Sequence, residues 1–321
     1  MSTHPAPPFD HDLEPVLAEL AGTVPPGITP AMIERFRAIP ADPTVGGLVD
    51  KLGVVHDQRT IPAYADGDIV VSVFRRTDRS HLGPGILYLH GGGMIFGNRF
   101  GGVGAYLPFI ASHGVVVVAV DYRLAPEHPD PTPVEDCFAT LRWMLANADE
   151  LGIDPERLIV AGQSAGAGLA AGVCLLARER DEPAIAAQVL VSPMIDDRND
   201  TISSHQIDGI GVWDRTSNAT GWSALLGDRR GGDDVTAVAA PARAEDLTGL
   251  PPAFISVGSA EVFRDEAVDY ASRIWACGGT AELHVWPGGF HGFENFAPYA
   301  PISVAAAAAR DDWLTRVLET R

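Results

Sequence analysis

A serine between two glycines is the residue of this sequence best placed to do chemistry. It is Ser164, in the run Gly162-Gln163-Ser164-Ala165-Gly166, which has the pattern G-x-S-x-G. An apolar run over 158–161 predicts a buried strand before it, and the small apolar stretch over 167–178 predicts a helix after it. Such a sharp strand-to-helix turn exposes a serine hydroxyl, and the glycines leave room for its strained backbone. Ser164 is therefore the candidate nucleophile.

A serine nucleophile needs a histidine to take its proton and a carboxylate to orient that histidine. His291 follows a predicted strand over 281–285 and lies in a glycine-flanked loop, which makes it the candidate base. Glu261 lies shortly after a predicted strand over 253–257, where ligand-facing loops of such sheets gather. We favour Glu261 over Asp265 as the acid, because Asp265 falls where a helix begins and can serve there as N-terminal charge.

A third feature is the glycine run His90-Gly91-Gly92-Gly93, which follows a predicted buried strand over 86–89. Glycines at a strand end let backbone N–H groups approach a ligand without Cβ interference. We expect an oxyanion hole formed by the N–H groups of Gly92, Gly93 and Ala165. The combined chemistry is acyl transfer on a small ester, and it requires neither a metal nor a cofactor.

Composition narrows the possible partners and location. The chain has 321 residues and a net charge of -19, which argues against nucleic acid as a partner because phosphate binding needs clustered Lys and Arg. No apolar run is long enough to span a bilayer, and the first residues lack a signal-peptide pattern. The three cysteines have no C-x-x-C spacing, so we expect free thiols and a cytoplasmic protein.

Buried strands alternate with helices along most of the chain, and one of these helices is predicted over 101–112. This alternation predicts an α/β fold with a mostly parallel sheet and helices on both faces. Two alternating runs joined by an Asp-Gly turn predict an antiparallel hairpin over 54–74. The alternation breaks between 198 and 250, a stretch long enough to be a functional lid, within which we predict one helix over 213–226. We expect a helical cap from 1–50 and 198–250 over a catalytic core from 51–197 and 251–321.

Together, the motifs of this chain resemble the hormone-sensitive-lipase-like family of bacterial esterases. The resemblance implies an α/β-hydrolase fold with a helical cap, carboxylesterase activity on short acyl esters, and often a homodimer. By motif position it carries over Ser164 as nucleophile, His291 as base, and Gly92, Gly93 and Ala165 as oxyanion donors. The motifs that carry it are His90-Gly91-Gly92-Gly93, Asp121-Tyr122-Arg123-Leu124-Ala125-Pro126-Glu127, Gly162-Gln163-Ser164-Ala165-Gly166 and His291-Gly292-Phe293.

The chain departs from the family pattern in three places. Gln163 stands where the family usually has Asp or Glu, and Ala167 replaces a frequent Gly. Glu261 occupies the acid position, where the family usually has Asp. The Tyr-Arg-Leu-Ala-Pro-Glu segment resembles a structural motif, and we predict that Arg123 and Glu127 form a buried pair.

Two other functions are compatible with the same motifs. A non-catalytic receptor on this fold would bind a small ligand under its cap, but relatives of that kind lose the histidine that this chain keeps as His291. An amidase or peptidase would use the same triad. We expect cap residues such as Trp213, Trp222 and Phe36 to shape the pocket, and the sequence leaves the substrate open.

Overall fold

The computed structural model of the protein describes residues 4–39, 44–78, 82–182 and 185–320. Its centre is an eight-stranded sheet in the order β1-β2-β4-β3-β5-β6-β7-β8. The strands are β1 (Val55–Pro62), β2 (Asp68–Arg75), β3 (Gly83–Leu89), β4 (Val116–Asp121), β5 (Ile153–Gln163), β6 (Ala187–Val191), β7 (Ala253–Gly258) and β8 (Ala281–Trp286).

The six strands β4, β3, β5, β6, β7 and β8 are parallel to one another, whereas β2 runs antiparallel to both of its neighbours, β1 and β4. The predicted hairpin is confirmed, because β1 pairs antiparallel with β2 from the turn, where Pro62 lies opposite Asp68, to the far ends, where Val55 lies opposite Arg75. The α/β-hydrolase fold and its mostly parallel sheet are thus confirmed. Because all the parallel strands end at one edge, the loops that follow them gather there and can build a common site.

Helices connect the strands and cover both faces of the sheet. The α-helices are α1 (Glu14–Leu20), α2 (Ile33–Arg37), α3 (Thr44–Leu52), α4 (Pro108–His113), α5 (Thr132–Ala146), α6 (Ala148–Leu151), α7 (Ala165–Glu179), α8 (Ile202–Gln206), α9 (Arg215–Leu226), α10 (Arg264–Ala276), α11 (Phe293–Phe296) and α12 (Pro301–Glu319). Short 3-10 turns span Pro30–Met32, Tyr64–Asp66, Val103–Ala105, Gly227–Arg229 and Pro241–Arg243. None of the described helices is both long enough and apolar enough to cross a membrane.

A large hydrophobic core lies on each face of the sheet, and strand β4 contributes to both. Its consecutive side chains point to opposite faces, so Val116, Val118 and Val120 enter one core while Val117 and Ala119 enter the other. The first core is covered by α5, α7 and α10, and the second by α3, α4 and α12. Burial on both faces is why this strand is apolar throughout instead of alternating.

The helix predicted over 101–112 forms only in its second half. That stretch forms the 3-10 turn Val103–Ala105 and then the short helix α4, which starts at Pro108. Proline has no N–H to donate and fits the first position of a helix, so it marks a new start and not a continuation.

The N-terminal segment contacts the insertion after β6. Ile28 donates its backbone N–H to Ser217 Oγ over 2.8 Å, and Gln206 Nε2 donates to the Pro5 carbonyl over 2.7 Å. Helix α9 is the helix predicted within the insertion. Asp214 caps its start by accepting from the Ser217 N–H. These contacts bring the two segments expected to form the cap against each other.

The predicted pair of Arg123 and Glu127 is wrong. Arg123 binds the buried Asp136 through Nη2 and Nε, at 2.6 and 2.9 Å. The Glu127 side chain is 55% exposed and binds Arg37 of α2 at 2.7 Å. Glu127 faces outward from the turn after β4, where α2 passes, and a partner 90 residues away leaves no local pattern in the sequence.

Candidate active site

Strand β5 and helix α7 meet at Ser164. Its backbone has φ 57° and ψ -122°, a conformation that L-residues rarely adopt. A Cβ at Gly162 would lie 2.1 Å from the Gly166 carbonyl oxygen, and one at Gly166 would lie 2.1 Å from the Leu89 carbonyl oxygen. Both glycines are therefore required sterically for the turn that holds Ser164.

The structure brings Ser164, His291 and Glu261 together from three loops. His291 Nε2 lies 2.9 Å from Ser164 Oγ, and His291 Nδ1 lies 3.1 Å from Glu261 Oε2. All three are buried, with Ser164 and His291 exposed by 6% and 8%. The Phe263 ring packs edge-on against the imidazole at 5.1 Å between ring centroids and restricts its rotation. This geometry suits proton transfer from the serine hydroxyl to the imidazole.

Asp265, the alternative acid, is engaged elsewhere. Its Oδ2 accepts from the Ser203 N–H at 2.7 Å, and its Oδ1 binds Arg264 Nε at 2.8 Å. Neighbouring Glu266 accepts from the backbone N–H of Ile195 and Asp196. Asp265 thus fastens the insertion, and Glu266 the segment that leads into it, to the start of α10.

The glycine loop lies beside the serine in a conformation that needs glycine. Gly92 and Gly93 have φ of +119° and +61°. A Cβ at Gly92 would lie 2.0 Å from the Phe96 carbonyl oxygen, and one at Gly93 would lie 2.1 Å from the Trp213 ring. Within the described part of the chain, neither the Gly92 nor the Gly93 N–H donates to a protein acceptor. Both donors are therefore free to bind a negatively charged oxygen.

His90, at the head of this loop, is excluded as an alternative base. Its ring stacks on Tyr122 at 4.2 Å between centroids, and Tyr122 Oη donates to the His90 carbonyl at 2.8 Å. Burial lowers the pKa of His90 to about 4, so the imidazole stays neutral at physiological pH. His90 thus anchors the loop and does not exchange protons with substrate.

A cleft of about 610 Å³ opens above Ser164 and His291. One wall is apolar and comes from the N-terminal segment and the insertion; it includes Ile28, Phe36, Val212 and Trp213. A second wall comes from the core and carries the polar residues Gln163, Glu294 and Asn295, beside Phe296 and Pro298. Trp213 and Phe36 therefore shape the pocket as predicted. Trp222 was predicted to do so as well, but it is fully buried and lines no part of the cleft.

Sequence reasoning missed three residues of this site. Ser192, at the end of β6, donates to Glu261 Oε2 at 3.1 Å. Glu294 lines the cleft three residues after His291, and Arg37 reaches the cleft from α2. Position relative to the His291 motif could have drawn attention to Glu294, whereas Ser192 and Arg37 carry no local signal.

One group of described residues has the composition of a metal site. Asp10, His11 and Asp12 place three ligand atoms within 4.8 Å of one another on the N-terminal segment, largely exposed. They do not line the cleft, so the chemistry at Ser164 draws on none of them.

Comparisons with known proteins agree with this geometry. Residues 86–295 match the family described as alpha/beta hydrolase fold. The chain is 35% identical to carboxylesterase NlhH of Mycobacterium tuberculosis, over 92% of this chain and 93% of that protein. It is 33% identical to esterase LipI of the same organism, over 70% of this chain and 69% of that one.

Solved structures of esterases share the whole architecture. A bacterial heroin esterase superposes with a TM-score of 0.85 at 35% identity, covering 96% of this chain and 99% of that one. The hyperthermophilic esterase of the archaeon Pyrobaculum calidifontis superposes with a TM-score of 0.81 at 29% identity, covering 97% and 99%. The chain therefore belongs to the hormone-sensitive-lipase-like family of the alpha/beta hydrolase fold.

Proposed function

We propose that this protein, a carboxylic ester hydrolase by its relatives, cleaves short-chain acyl esters with a Ser164–His291–Glu261 triad. The observation that carries the proposal is the unbroken chain of hydrogen-bond distances from Ser164 Oγ through the imidazole to Glu261. The carboxylesterase and esterase names of the similar proteins support the reaction class.

The proposed reaction begins with attack of Ser164 Oγ on the ester carbonyl carbon, while His291 Nε2 takes the hydroxyl proton. The carbonyl oxygen becomes an oxyanion that accepts from the N–H groups of Gly92, Gly93 and Ala165. One such donor typically contributes about 3 kcal/mol to the transition state. Collapse of the adduct breaks the bond to the alcohol oxygen, which takes the proton from Nε2 as the alcohol leaves.

Water completes the cycle through the same groups. His291 takes a proton from water, the resulting hydroxide attacks the acyl-serine carbonyl, and the second oxyanion occupies the same donors. Collapse returns the proton to Ser164 Oγ and releases the carboxylic acid. Glu261 accepts from Nδ1–H throughout, which holds the His291 tautomer and stabilises the imidazolium.

Substitution of the three triad residues tests the assignment. We expect Ser164→Ala to abolish hydrolysis of 4-nitrophenyl acetate while leaving the protein folded. We expect Glu261→Gln to lower kcat by about 10³-fold or more, since a neutral amide no longer selects the tautomer. Asp265→Asn is the matched control, because it changes a nearby acid at the start of α10 in the same way. A larger loss in Asp265→Asn than in Glu261→Gln would overturn the acid assignment.

The short-chain preference is tested with a series of 4-nitrophenyl esters. A cleft of about 610 Å³ is within the usual range for a small ligand. We expect kcat/KM to be highest for acetyl to butyryl esters and to fall for long chains. Matched 4-nitroanilides test the amidase alternative, and equal rates on anilide and ester would favour it. A folded protein that binds ligand but turns over no ester would favour the receptor.

A further inference from the structure

The second wall of the cleft holds a carboxyl group that the proposed reaction does not use. It belongs to Glu294 on α11, three residues beyond His291. Glu294 lines both the cleft and a small cavity of about 20 Å³ behind it, so its side chain lies in the partition between them. Gln163 and Asn295 belong to the same partition and are joined there by a hydrogen bond of 2.8 Å from Asn295 Nδ2 to Gln163 Oε1.

The Glu294 carboxyl is poorly satisfied by its own chain. Its Oε2 is buried and has no hydrogen-bond partner among the described residues. A buried carboxylate oxygen without a donor is costly, and such exceptions in a cleft point to a missing ligand. Gln163 accepts from Asn295 through Oε1, and no hydrogen bond joins the Gln163 side chain to Glu294 Oε2.

The nearby arginine does not supply the missing partner. Arg310 of α12 donates through both Nε and Nη2 to Asp311 Oδ1, at 2.9 and 2.7 Å. Its guanidinium also lies over the Tyr106 ring, 5.6 Å from the centroid. Its charge is thus largely compensated within α12.

The charged groups around Glu294 do not compensate a negative charge on its carboxyl group. The other charged groups that act on it are Glu261 and His291 of the active site and Arg310. Burial and the Glu261 charge raise the pKa of Glu294 to about 7, so the cations present do not offset the negative surroundings. A bound cation with an N–H group would supply both the missing hydrogen bond and the missing charge.

We infer that Glu294 is a specificity-determining residue that binds a protonated amine carried by the ester substrate. The inference rests on the proposed function and deepens it by naming the substrate class. The apolar wall formed by Phe36 and Trp213 would hold the rest of the molecule, so the cleft suits an amphiphilic ester.

The amine belongs to the alcohol part of the ester. The leaving alcohol oxygen must come within hydrogen-bond reach of His291 Nε2 to be protonated. Helix α11 begins two residues after His291 and carries Glu294. In the proposed reaction the carbonyl oxygen is bound by the N–H groups of Gly92 and Gly93, so it is the alcohol oxygen that lies at His291. An alcohol group leaving at His291 therefore extends along the wall that contains Glu294.

Two esters of the same shape test the inference at neutral pH. The first is 2-(dimethylamino)ethyl acetate, which is protonated, and the second is 3-methylbutyl acetate, which has CH in place of NH⁺. We expect the wild-type kcat/KM to be about 10-fold higher for the amino ester, the size of one hydrogen bond to a charged group. The ammonium group also makes its alcohol a better leaving group, so the change in the ratio is what reports on the subsite, and Glu294→Gln should lower the ratio about 10-fold.

Glu156→Gln is the matched control, because it makes the same charge change near the start of β5, whereas the cleft lies at the Gln163 end of that strand. This variant should keep the wild-type ratio. A second measurement needs no variant. In the wild-type enzyme, 2-(dimethylamino)ethanol should inhibit 3-methylbutyl acetate hydrolysis about 10-fold more strongly than 3-methylbutanol does.

The outcomes separate the two proposals. Hydrolysis of both esters with a ratio near one, or a ratio unchanged in Glu294→Gln, would overturn the amine subsite and leave the esterase intact. That result would assign the Glu294 oxygen to one structural water, for which a cavity of about 20 Å³ has room. No hydrolysis of either ester would overturn the proposed function and the subsite with it.

Discussion

Ser192 gives Glu261, the acid of the proposed triad, a second hydrogen bond. It ends β6 with φ +48° and donates through Oγ to Glu261 Oε2, the oxygen that also meets His291. Glutamate has one more rotatable bond than aspartate, so it needs additional contacts to hold one orientation. Ser192 is therefore a positioning residue that compensates for the longer acid in this chain.

We predict that Ser192→Ala lowers kcat about 10-fold with little change in KM. The lost hydrogen bond acts on the orientation of Glu261 and hence on the transition state, whereas the substrate still binds in the same cleft. Steady-state kinetics on 4-nitrophenyl acetate measures the split between the two constants. Ser272→Ala, which removes an exposed hydroxyl bonded to its own helix, is the control. An unchanged kcat would show that His291 alone suffices to hold the acid.

Gly93 is the second residue whose role can be isolated. Alanine there would combine a left-handed backbone with a clash against the Trp213 ring, so the loop or the ring must move. We predict a loss of about 100-fold or more in kcat, the usual cost of losing one oxyanion donor. Gly53→Ala is a close control, because its φ of +62° matches the +61° of Gly93 while nothing lies within 4 Å. Equal activity of the two variants would contradict the proposed oxyanion hole.

The site residues differ in how well the sequence alone identifies them. Ser164 and His291 lie in motifs whose flanking strands and turns identify them without any distant partner. Glu261 could be ranked above Asp265 only by position, and the structure explains the difference through the contacts of Asp265 with Ser203 and Arg264. Ser192 lies 69 residues from Glu261 in the chain, and such a contact leaves no local pattern.

At the scale of elements, Arg37 attaches α2 to the loops of the core. Its Nε donates to the Ile95 carbonyl in the glycine loop, and its Nη2 donates to the Ala125 carbonyl after β4, both at 2.8 Å. Its guanidinium also forms two bonds with Glu127, at 2.9 and 2.7 Å. One side chain thus couples the N-terminal segment to the loop that carries the proposed oxyanion donors.

We predict that Arg37→Ala is far more damaging than Glu127→Gln. The alanine variant leaves two carbonyls without a donor and frees the glycine loop, so kcat/KM should fall about 10-fold or more. Glu127→Gln removes only a partly exposed ion pair, which contributes about 0.2–1 kcal/mol. The same ester assay and thermal unfolding of both variants give the comparison. Equal losses would mean that the ion pair, and not the carbonyl contacts, holds α2.

The elements show where local patterns suffice and where they fail. Parallel strands such as β4 are buried on both faces, so their apolar runs identify them. The helix predicted over 101–112 begins late, because Pro108 starts the helix in the middle of an apolar stretch. The pair expected between Arg123 and Glu127 failed because Asp136 and Arg37, far apart in the chain, are the partners.

At the scale of the whole molecule, buried ionisable groups tie stability to pH in opposite senses. Burial lowers the pKa of His90 in the folded protein to about 4. The folded state therefore loses stability as the pH falls below the ordinary histidine pKa, because the unfolded chain then binds a proton that the folded protein does not. Burial raises the pKa of Glu294 from 4.5 to about 7, so the folded protein keeps a proton that the unfolded chain has lost. The contribution of Glu294 is therefore present at acid pH and is lost as the pH rises through this window.

We predict that Glu294→Gln gains stability relative to the wild type as the pH rises from 4.5 to about 7. Glutamine stays neutral, so the variant does not incur the cost of ionising a buried carboxyl, up to about 3 kcal/mol across the window. Urea unfolding at several pH values measures the difference, in which the His90 contribution cancels because both proteins contain it. Glu156→Gln, at an exposed position, should run parallel to the wild type. Parallel curves for Glu294→Gln as well would mean that Glu294 titrates like a surface carboxyl and that its surroundings are not short of a cation.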